Sequence, residues 1–218
     1  ATNGGMAMPG ATGKTLTRTL NHGNGQTATL SGTGGLNINT PGIFNNEANA
    51  TFVLSSDCSF NGSGTFANAG TFQRTTSPGT AFASVAFTNA GTVEVLSGTF
   101  QISGPSYTQT AGSTLLNGGN ITNSFPLLIQ GGTLGGVGTI TGNINNSGGP
   151  VAPGLPAGTL TLVGDYTQGG SAAYTVEIGG LVAGTEHDQL VLTNPGFGTG
   201  DASLGGDLNV TLVNGFDP

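Results

Sequence analysis

Apolar and polar residues alternate along this chain in short runs. Leu36-Asn37-Ile38, Val93-Glu94-Val95 and Phe100-Gln101-Ile102 each place two apolar side chains two positions apart, with a polar residue between them. In a strand this alternation directs the apolar side chains to one face and the polar side chains to water. We find no window of a dozen residues that combines a 3.6-residue period with helix caps. The pattern therefore predicts an all-β chain with essentially no helix.

Turn signals separate these short runs. Thr40-Pro41-Gly42, Asn61-Gly62-Ser63-Gly64 and Asn117-Gly118-Gly119 are examples, and the 218 residues include 42 glycines. Glycine and asparagine tolerate the positive φ of a sharp corner, and proline fixes the dihedral beside it. Short strands joined by such corners are typical of a coiled path.

The same residue types return at a nearly constant interval. Phe44-Asn45-Asn46 is followed after 22 residues by Phe66-Ala67-Asn68 and after 21 more by Phe87-Thr88-Asn89, and Tyr107 takes the aromatic position 20 residues later. A unit of roughly 20 residues cannot bury its apolar face without a neighbour on either side. We therefore predict a single-stranded parallel β-helix, or β-solenoid, with roughly 20–22 residues per coil. A β-sandwich is the alternative, since it also has turn signals every 8 to 12 residues.

Stacked coils bring equivalent side chains above one another. We expect an inward aromatic stack and an amide ladder at one corner, and these are the structural site residues that the sequence predicts: Phe44, Phe66, Phe87 and Tyr107 in the stack, and Asn46, Asn68 and Asn89 in the ladder. The chain divides into an irregular N-terminal edge (1–14), repeats with the F-x-N-x-G-T pattern (15–135) and a continuation of the solenoid (136–218). Arg18 is unusual, because alternation in its run places it on the apolar face.

Two resemblances extend over most of residues 16–216. Gly64-Thr65-Phe66-Ala67-Asn68-Ala69-Gly70 resembles the Gly/Asn/Thr-rich β-strand repeats of bacterial surface proteins. Val151-Ala152-Pro153-Gly154 followed by Gly158-Thr159-Leu160-Thr161-Leu162 is similar to the passenger-associated repeat of autotransporters. These resemblances imply a parallel β-helix that is exported and serves as a scaffold, adhesin or filament component. They also imply that the end at residue 218 belongs to a fragment or a processed product or is covered by another subunit, and that a leader has been removed or lies outside this chain.

The charge balance restricts the possible partners. The formal net charge is −7, and the three cations are Lys14, Arg18 and Arg74. Three scattered cations cannot supply the basic footprint that nucleic acids or anionic membrane surfaces require. The chain also lacks an apolar run long enough for a membrane-spanning helix. We predict no nucleic-acid partner and no membrane insertion of this segment.

Few residues could carry out chemistry. Glu186-His187-Asp188 is the closest ionisable group, and in a strand Glu186 and Asp188 would point the same way, but a solvated turn is the favoured interpretation. His22 lies in a run with turn composition, and Cys58 is interpreted as a buried thiol. We predict no catalytic residue, no metal ligand and no cofactor.

The sequence thus favours a non-enzymatic structural protein. It is expected at the cell surface or outside the cell, as a scaffold or adhesin or as the subunit of a filament assembled by coil stacking, with self-association as its main interaction and surface glycans as further candidates. The alternative is a carbohydrate-binding or carbohydrate-cleaving β-helix. Binding to a periodic surface such as ice is disfavoured, because the Thr-x-Thr runs that would suit it do not recur once per coil; they are Thr15-Leu16-Thr17, Thr139-Ile140-Thr141 and Thr159-Leu160-Thr161.

Overall fold

The computed structural model describes residues 5–23, 25–154, 156–194, 196 and 198–217. These residues contain strands and turns and no helix, which confirms the all-β prediction. The strands, numbered in chain order, are β1 (Met6–Met8), β2 (Lys14–Leu16), β3 (Thr19–His22), β4 (Thr27–Leu30), β5 (Leu36–Ile38), β6 (Ile43–Asn46), β7 (Thr51–Leu54), β8 (Ser59–Asn61), β9 (Thr65–Asn68), β10 (Thr71–Arg74), β11 (Thr80–Ala83), β12 (Ala86–Asn89), β13 (Thr92–Val95), β14 (Thr99–Ile102), β15 (Tyr107–Gln109), β16 (Ser113–Asn117), β17 (Asn120–Asn123), β18 (Leu127–Ile129), β19 (Thr133–Thr141), β20 (Ile144–Asn146), β21 (Gly149–Pro153), β22 (Thr159–Val163), β23 (Tyr166–Gln168), β24 (Ala172–Ile178), β25 (Gln189–Thr193), β26 (Ala202–Leu204) and β27 (Asp207–Leu212).

The strands wind as a parallel β-solenoid with three faces, so the predicted fold class is confirmed. Each coil contributes one strand to each of three parallel sheets, as β4, β5 and β6 do in one coil and β7, β8 and β9 in the next. We call the face that contains β4 sheet 1, the face that contains β5 sheet 2 and the face that contains β6 sheet 3. Sheet 3 contains nine strands among the described residues.

One strand crosses a corner without interruption. The nine-residue β19 pairs through its first half with β16 in sheet 1 and through its second half with β17 in sheet 2. Gly135 and Gly136 lie at this bend and are buried, and Gly136 has a φ of 95°. The small residues allow the backbone to turn where other coils have a separate loop.

The interior is filled by the inward positions of all three sheets. Phe52, Phe60, Phe66, Phe72 and Phe100 have no exposed surface and belong to one continuous apolar cluster that runs along the axis. The alternation seen in the sequence is reproduced directly, since β6, β7, β9, β10, β13 and β14 each alternate half-buried and buried positions.

The segment 1–14 contains more regular structure than its composition indicates. Met6–Met8 pairs in parallel with β4, and Lys14 begins β2; residues 1–4 lie outside the described residues. Arg18 is exposed at a bend between β2 and β3, so a shift in register removes it from the apolar face. Of the two interpretations of Arg18 that the alternation permits, a kink or a cap on the first coil, the structure shows a bend.

Hydroxyl side chains form a continuous rank along sheet 1. Thr27, Thr51, Thr71, Thr92, Ser113 and Thr133 are register partners in successive coils. This rank is separate from the local Thr-x-Thr runs, which do not recur once per coil: Thr15 pairs with Asn37 and Thr161 with Val191. The neighbouring outward rank is mixed, because it contains Val53, Gln73, Glu94 and Leu115. A single rank does not give sheet 1 a two-dimensional hydroxyl lattice.

Candidate functional site

The four predicted aromatic residues lie directly above one another in sheet 3. Phe44 pairs with Phe66, Phe66 with Phe87 and Phe87 with Tyr107. Their ring centroids are 5.2, 5.0 and 5.4 Å apart, and the successive planes differ by only 9°, 22° and 17°. All four rings are at least 99% buried. Each ring thus contacts the ring of the next coil, which ties neighbouring coils together through the core.

The three predicted asparagines form a hydrogen-bonded ladder at the end of the same strands. The Nδ2 of Asn46 donates to Oδ1 of Asn68 at 2.7 Å, and the Nδ2 of Asn68 donates to Oδ1 of Asn89 at 2.8 Å. The same nitrogens also donate at 3.0 Å to the main-chain carbonyls of Thr71 and Thr92. The ladder therefore satisfies buried amide groups and fixes the corner that leads from sheet 3 to sheet 1.

Two further residues continue this ladder and were not predicted. Asn89 donates to Oε1 of Gln109 at 3.2 Å, and Gln109 donates to the carbonyl of Gly131 at 2.9 Å. At the other end, Nδ1 of His22 lies 2.9 Å from Oδ1 of Asn46. The bond from Nδ2 of Asn46 to Asn68 fixes the orientation of the amide, so that its Oδ1 faces His22. Since an amide oxygen only accepts hydrogen bonds, Nδ1 of His22 is the donor. His22 and Gln109 occupy the same position in the sheet-3 repeat as the ladder asparagines, with which they pair in register. This shared position is the sequence signal that could have identified them.

A tyrosine joins the aromatic stack to the ladder. The hydroxyl of Tyr107 is hydrogen-bonded to Oγ1 of Thr114, which in turn donates to Oε1 of Gln109 at 2.6 Å. Burial raises the pKa of Tyr107 above its usual value. Further along, Tyr166 and Gln168 are joined directly, with the hydroxyl of Tyr166 donating to Oε1 of Gln168 at 2.9 Å.

Arg74 is a fully buried cation that organises another corner. Arg74 lies two residues after Phe72 in β10, so both side chains point inward. The guanidinium donates to the carbonyls of Ser56 at 3.0 Å and Ser77 at 3.1 Å and forms an ion pair with Asp57. A buried guanidinium requires such partners, because removing its charge from water is costly. Arg74 therefore holds the loop between sheets 1 and 2 rather than a ligand.

The acidic group at 186–188 is divided among separate structural contacts. Glu186 accepts a hydrogen bond from the backbone N–H of Val182 at 2.9 Å, and Nδ1 of His187 lies 3.1 Å from the carbonyl oxygen of Gly180. Asp188 is 6% exposed and accepts bonds from the N–H groups of Gly158 at 3.0 Å and Glu177 at 2.9 Å. The three side chains thus stabilise a projecting loop and its junction with neighbouring strands.

The remaining thiol and metal-ligating side chains form no common metal site in the described part of the chain. Cys58 is buried and accepts a 3.3 Å hydrogen bond from Ser56, and burial raises the pKa of its thiol. No group of three or more His, Cys, Asp and Glu side chains is arranged to hold a metal ion in residues 5–217 apart from positions 24, 155, 195 and 197. Over the same residues, no helix has the length and apolarity needed to cross a membrane.

Comparisons with known protein families, with curated proteins and with solved structures found no match. The repeat architecture therefore rests on the register and contacts described above.

Proposed function

We propose that this chain is a non-enzymatic structural protein that is exported and displayed at a cell surface or assembled into an extracellular filament. The observation that carries the proposal is the pair of in-register ladders, aromatic and amide, that connects coil to coil from His22 to Gln109. Such ladders make each coil depend on its neighbours, as in other quasi-one-dimensional repeats. A rod of this kind resists local opening and separates surfaces by a fixed distance.

The ionisable groups support a mechanical role. Arg74, Asp57 and Asp188 stabilise corners, and the polar surface consists mainly of neutral threonine, asparagine and serine side chains. The resemblance to surface β-strand repeats and to passenger-associated repeats also supports the proposal that the chain is exported. Self-association would then proceed through unpaired strand edges of a solenoid, which readily pair with another chain.

Location and activity can be tested separately. In the source cells, antibody against the chain is expected to label intact, unpermeabilised cells or extracellular fibres; labelling that requires permeabilisation would contradict export. Incubation with a panel of polysaccharides is expected to release no reducing sugar. Sustained release that survives purification would show that the carbohydrate-cleaving alternative is correct.

Assembly is a third, independent test. Electron microscopy of purified protein over a concentration series is expected to show rods that lengthen by end-to-end association. Monodisperse short particles at the highest concentration would exclude the filament form while leaving a scaffold or adhesin.

A further inference from the structure

Among the described residues, both ends of the solenoid finish in strand edges without a partner. At the N-terminal end the edge strands are β1 in sheet 1, β2 in sheet 2 and β3 in sheet 3, and each pairs with one neighbour only. At the other end they are β25 in sheet 2, β26 in sheet 3 and β27 in sheet 1. The backbone N–H and C=O groups along such edges readily pair with another chain.

The inward side chains at both ends are incompletely covered. Leu208 and Val210 continue the inward rank of sheet 1 and are 66% and 51% exposed, and Leu204, which continues that of sheet 3, is 66% exposed. A cavity of about 310 Å³ opens beside Leu204 and Leu208. At the opposite end, Leu16 and Leu20 occupy inward positions of β2 and β3 and are only half-buried. Each end therefore carries apolar surface that a further coil would cover.

The two ends carry opposite charge. Residues 1–46 contain Lys14 and Arg18 and no acidic residue, whereas residues 164–218 contain seven acidic residues and no cation. Arg18 and Asp207 are exposed, and neither side chain forms a hydrogen bond or an ion pair within the described part of the chain. This distribution favours contact between unlike ends of two copies and disfavours contact between like ends.

Two edge segments from opposite ends match in length and spacing. Residues 14–22 form β2, a two-residue corner and β3, and residues 202–210 form β26, a two-residue corner and the first part of β27. Aligned without a gap, the segments share three identities: Leu16 with Leu204, Leu20 with Leu208 and Asn21 with Asn209. Laid on one another, they bring strand to strand, corner to corner and leucine to leucine.

We propose that the N-terminal edge of one copy of this chain binds the C-terminal edge of a second copy, with β1 on β25, β2 on β26 and β3 on β27. The inference rests on the filament form of the proposed function and specifies its contact. Because the path of the last coil ends with β27 in sheet 1, the next strand position lies in sheet 2 above β25, and β1 of the second copy takes it. The second copy is therefore rotated by one face of the solenoid. Unlike ends meet, so the contact is heterologous and does not close.

Charge and apolar burial have separate roles in this contact. Arg18 of one copy lies over Gly206 of the other, next to Asp207, and the aligned leucines cover one another. An exposed ion pair contributes little affinity but fixes which ends meet, whereas burial of the leucines supplies most of the stabilisation. Added salt should accordingly weaken the association without abolishing it.

Charge reversal tests which ends meet. Arg18→Glu places an acid opposite Asp207, and Asp207→Lys places a cation opposite Arg18. Each variant alone is expected to associate roughly three- to tenfold more weakly than the wild type in sedimentation velocity at low salt. An equimolar mixture of the two should regain the wild-type association, because each altered end then meets its complement. A mixture that associates no better than either variant alone overturns the proposal.

Paired cysteines test the rotation. Thr15 and Ser203 are outward neighbours in the proposed contact, whereas Thr15 would lie over Val191 without the rotation. Neighbouring strands are about 4.8 Å apart, which suits a disulfide, and the native Cys58 is buried. Oxidised Thr15→Cys/Ser203→Cys is expected to form reducible oligomers, and Thr15→Cys/Val191→Cys is expected to remain monomeric on a denaturing gel. The reverse result overturns the proposed register.

A matched pair of apolar variants completes the test. Leu208→Ser is expected to weaken association at least roughly tenfold, because its side chain is buried in the contact. Phe125→Ser is the control: Phe125 is 53% exposed but lies between β17 and β18, away from both ends. Both variants should keep the circular dichroism spectrum of the wild type.

Equal losses in the two serine variants, or a wild type that stays monomeric at the highest concentration, overturn the contact. A monomeric chain displayed at the cell surface would leave the scaffold or adhesin function standing. Chain found only inside cells would contradict export without touching the contact, since that is measured on purified protein.

Discussion

At the residue scale, stability depends on polar groups that are buried and paired between coils. Asn68 illustrates this: it is 2% exposed, accepts from Asn46 and donates to Asn89, Gly70 and Thr92. An apolar side chain of similar size would fill the same space, but it would leave the hydrogen-bond partners of Asn68 unpaired. The cost lies in the groups left unpaired rather than in lost volume.

We predict that Asn68→Leu lowers the free energy of unfolding by roughly 2–4 kcal/mol, measured by urea denaturation. Asn45→Ala is the control: Asn45 is half-buried, lies in the preceding repeat of the same sheet and donates to Asn21 at the surface. It should change stability by about 0.5 kcal/mol or less. Equal effects of the two variants would show that the amide ladder does not stabilise the solenoid.

Because Tyr107 is buried, we expect the folding stability to depend on pH in the alkaline range. Its folded pKa is raised by burial, so the folded state favours the neutral phenol. The resulting stabilisation is fully present below the unfolded pKa of about 10 and is lost as pH rises above that value. The stability difference between the wild type and Tyr107→Phe should therefore shrink above about pH 10. Tyr166 and Tyr174, whose pKa values are also raised, are common to both proteins and cancel. A difference that stays constant into the alkaline range contradicts this assignment.

At the element scale, the backbone geometry of each corner limits which residues can occupy it. At the corner from sheet 3 to sheet 1, Gly112 has a φ of 68°, and a Cβ at this position would lie 1.9 Å from the carbonyl oxygen of Gly91 in the preceding coil. Both the backbone conformation and the close approach of two main chains require glycine.

Gly112→Ala is expected to destabilise the protein by roughly 2–4 kcal/mol, because the strain and the clash must be relieved by moving a coil. Gly170→Ala provides the comparison: no atom lies within 4 Å of a Cβ built there. That substitution should shift thermal unfolding only slightly. Similar melting temperatures for the two variants would mean that the coils are not in close contact at this corner.

The elements show which features the sequence determines locally. Alternation and the return of Phe-x-Asn predicted the strands, the parallel winding and the seven ladder residues, because side-chain period and repeat length are both local properties. His22 and Gln109 were missed because different residue types fill the asparagine position. Alternation placed Arg18 on the apolar face, but the chain bends there and Arg18 is exposed. Arg74, two residues after Phe72, is the arginine that is buried, and only the tertiary contacts distinguish the two cases.

At the scale of the whole molecule, coils should be interchangeable where their register is equivalent. Thr71 and Thr92 are register partners, so deletion of residues 71–91 joins Gly70 to Thr92 at an equivalent point of the path. Phe66 would then stack on Tyr107, and Asn68 would meet Gln109. Asp57, which is 43% exposed, would lose Arg74 but remain accessible to water.

We predict that this one-coil deletion folds into a rod shorter by about 4.8 Å, the separation of neighbouring strands. Deletion of residues 71–80 is the control, because it joins Gly70, at the corner that leads into sheet 1, to Ala81 in the sheet-2 strand β11 and breaks the register. Circular dichroism and small-angle scattering should show a folded rod for the first and loss of structure for the second. If both unfold, the coils are not equivalent units.

An experimental density map from crystals of the chain would distinguish the solenoid from a sandwich most directly. We predict parallel coils with Phe44, Phe66, Phe87 and Tyr107 stacked at ring separations of 5.0 to 5.4 Å and the asparagines aligned beside them. Two facing antiparallel layers, with these four rings distant from one another, would contradict it.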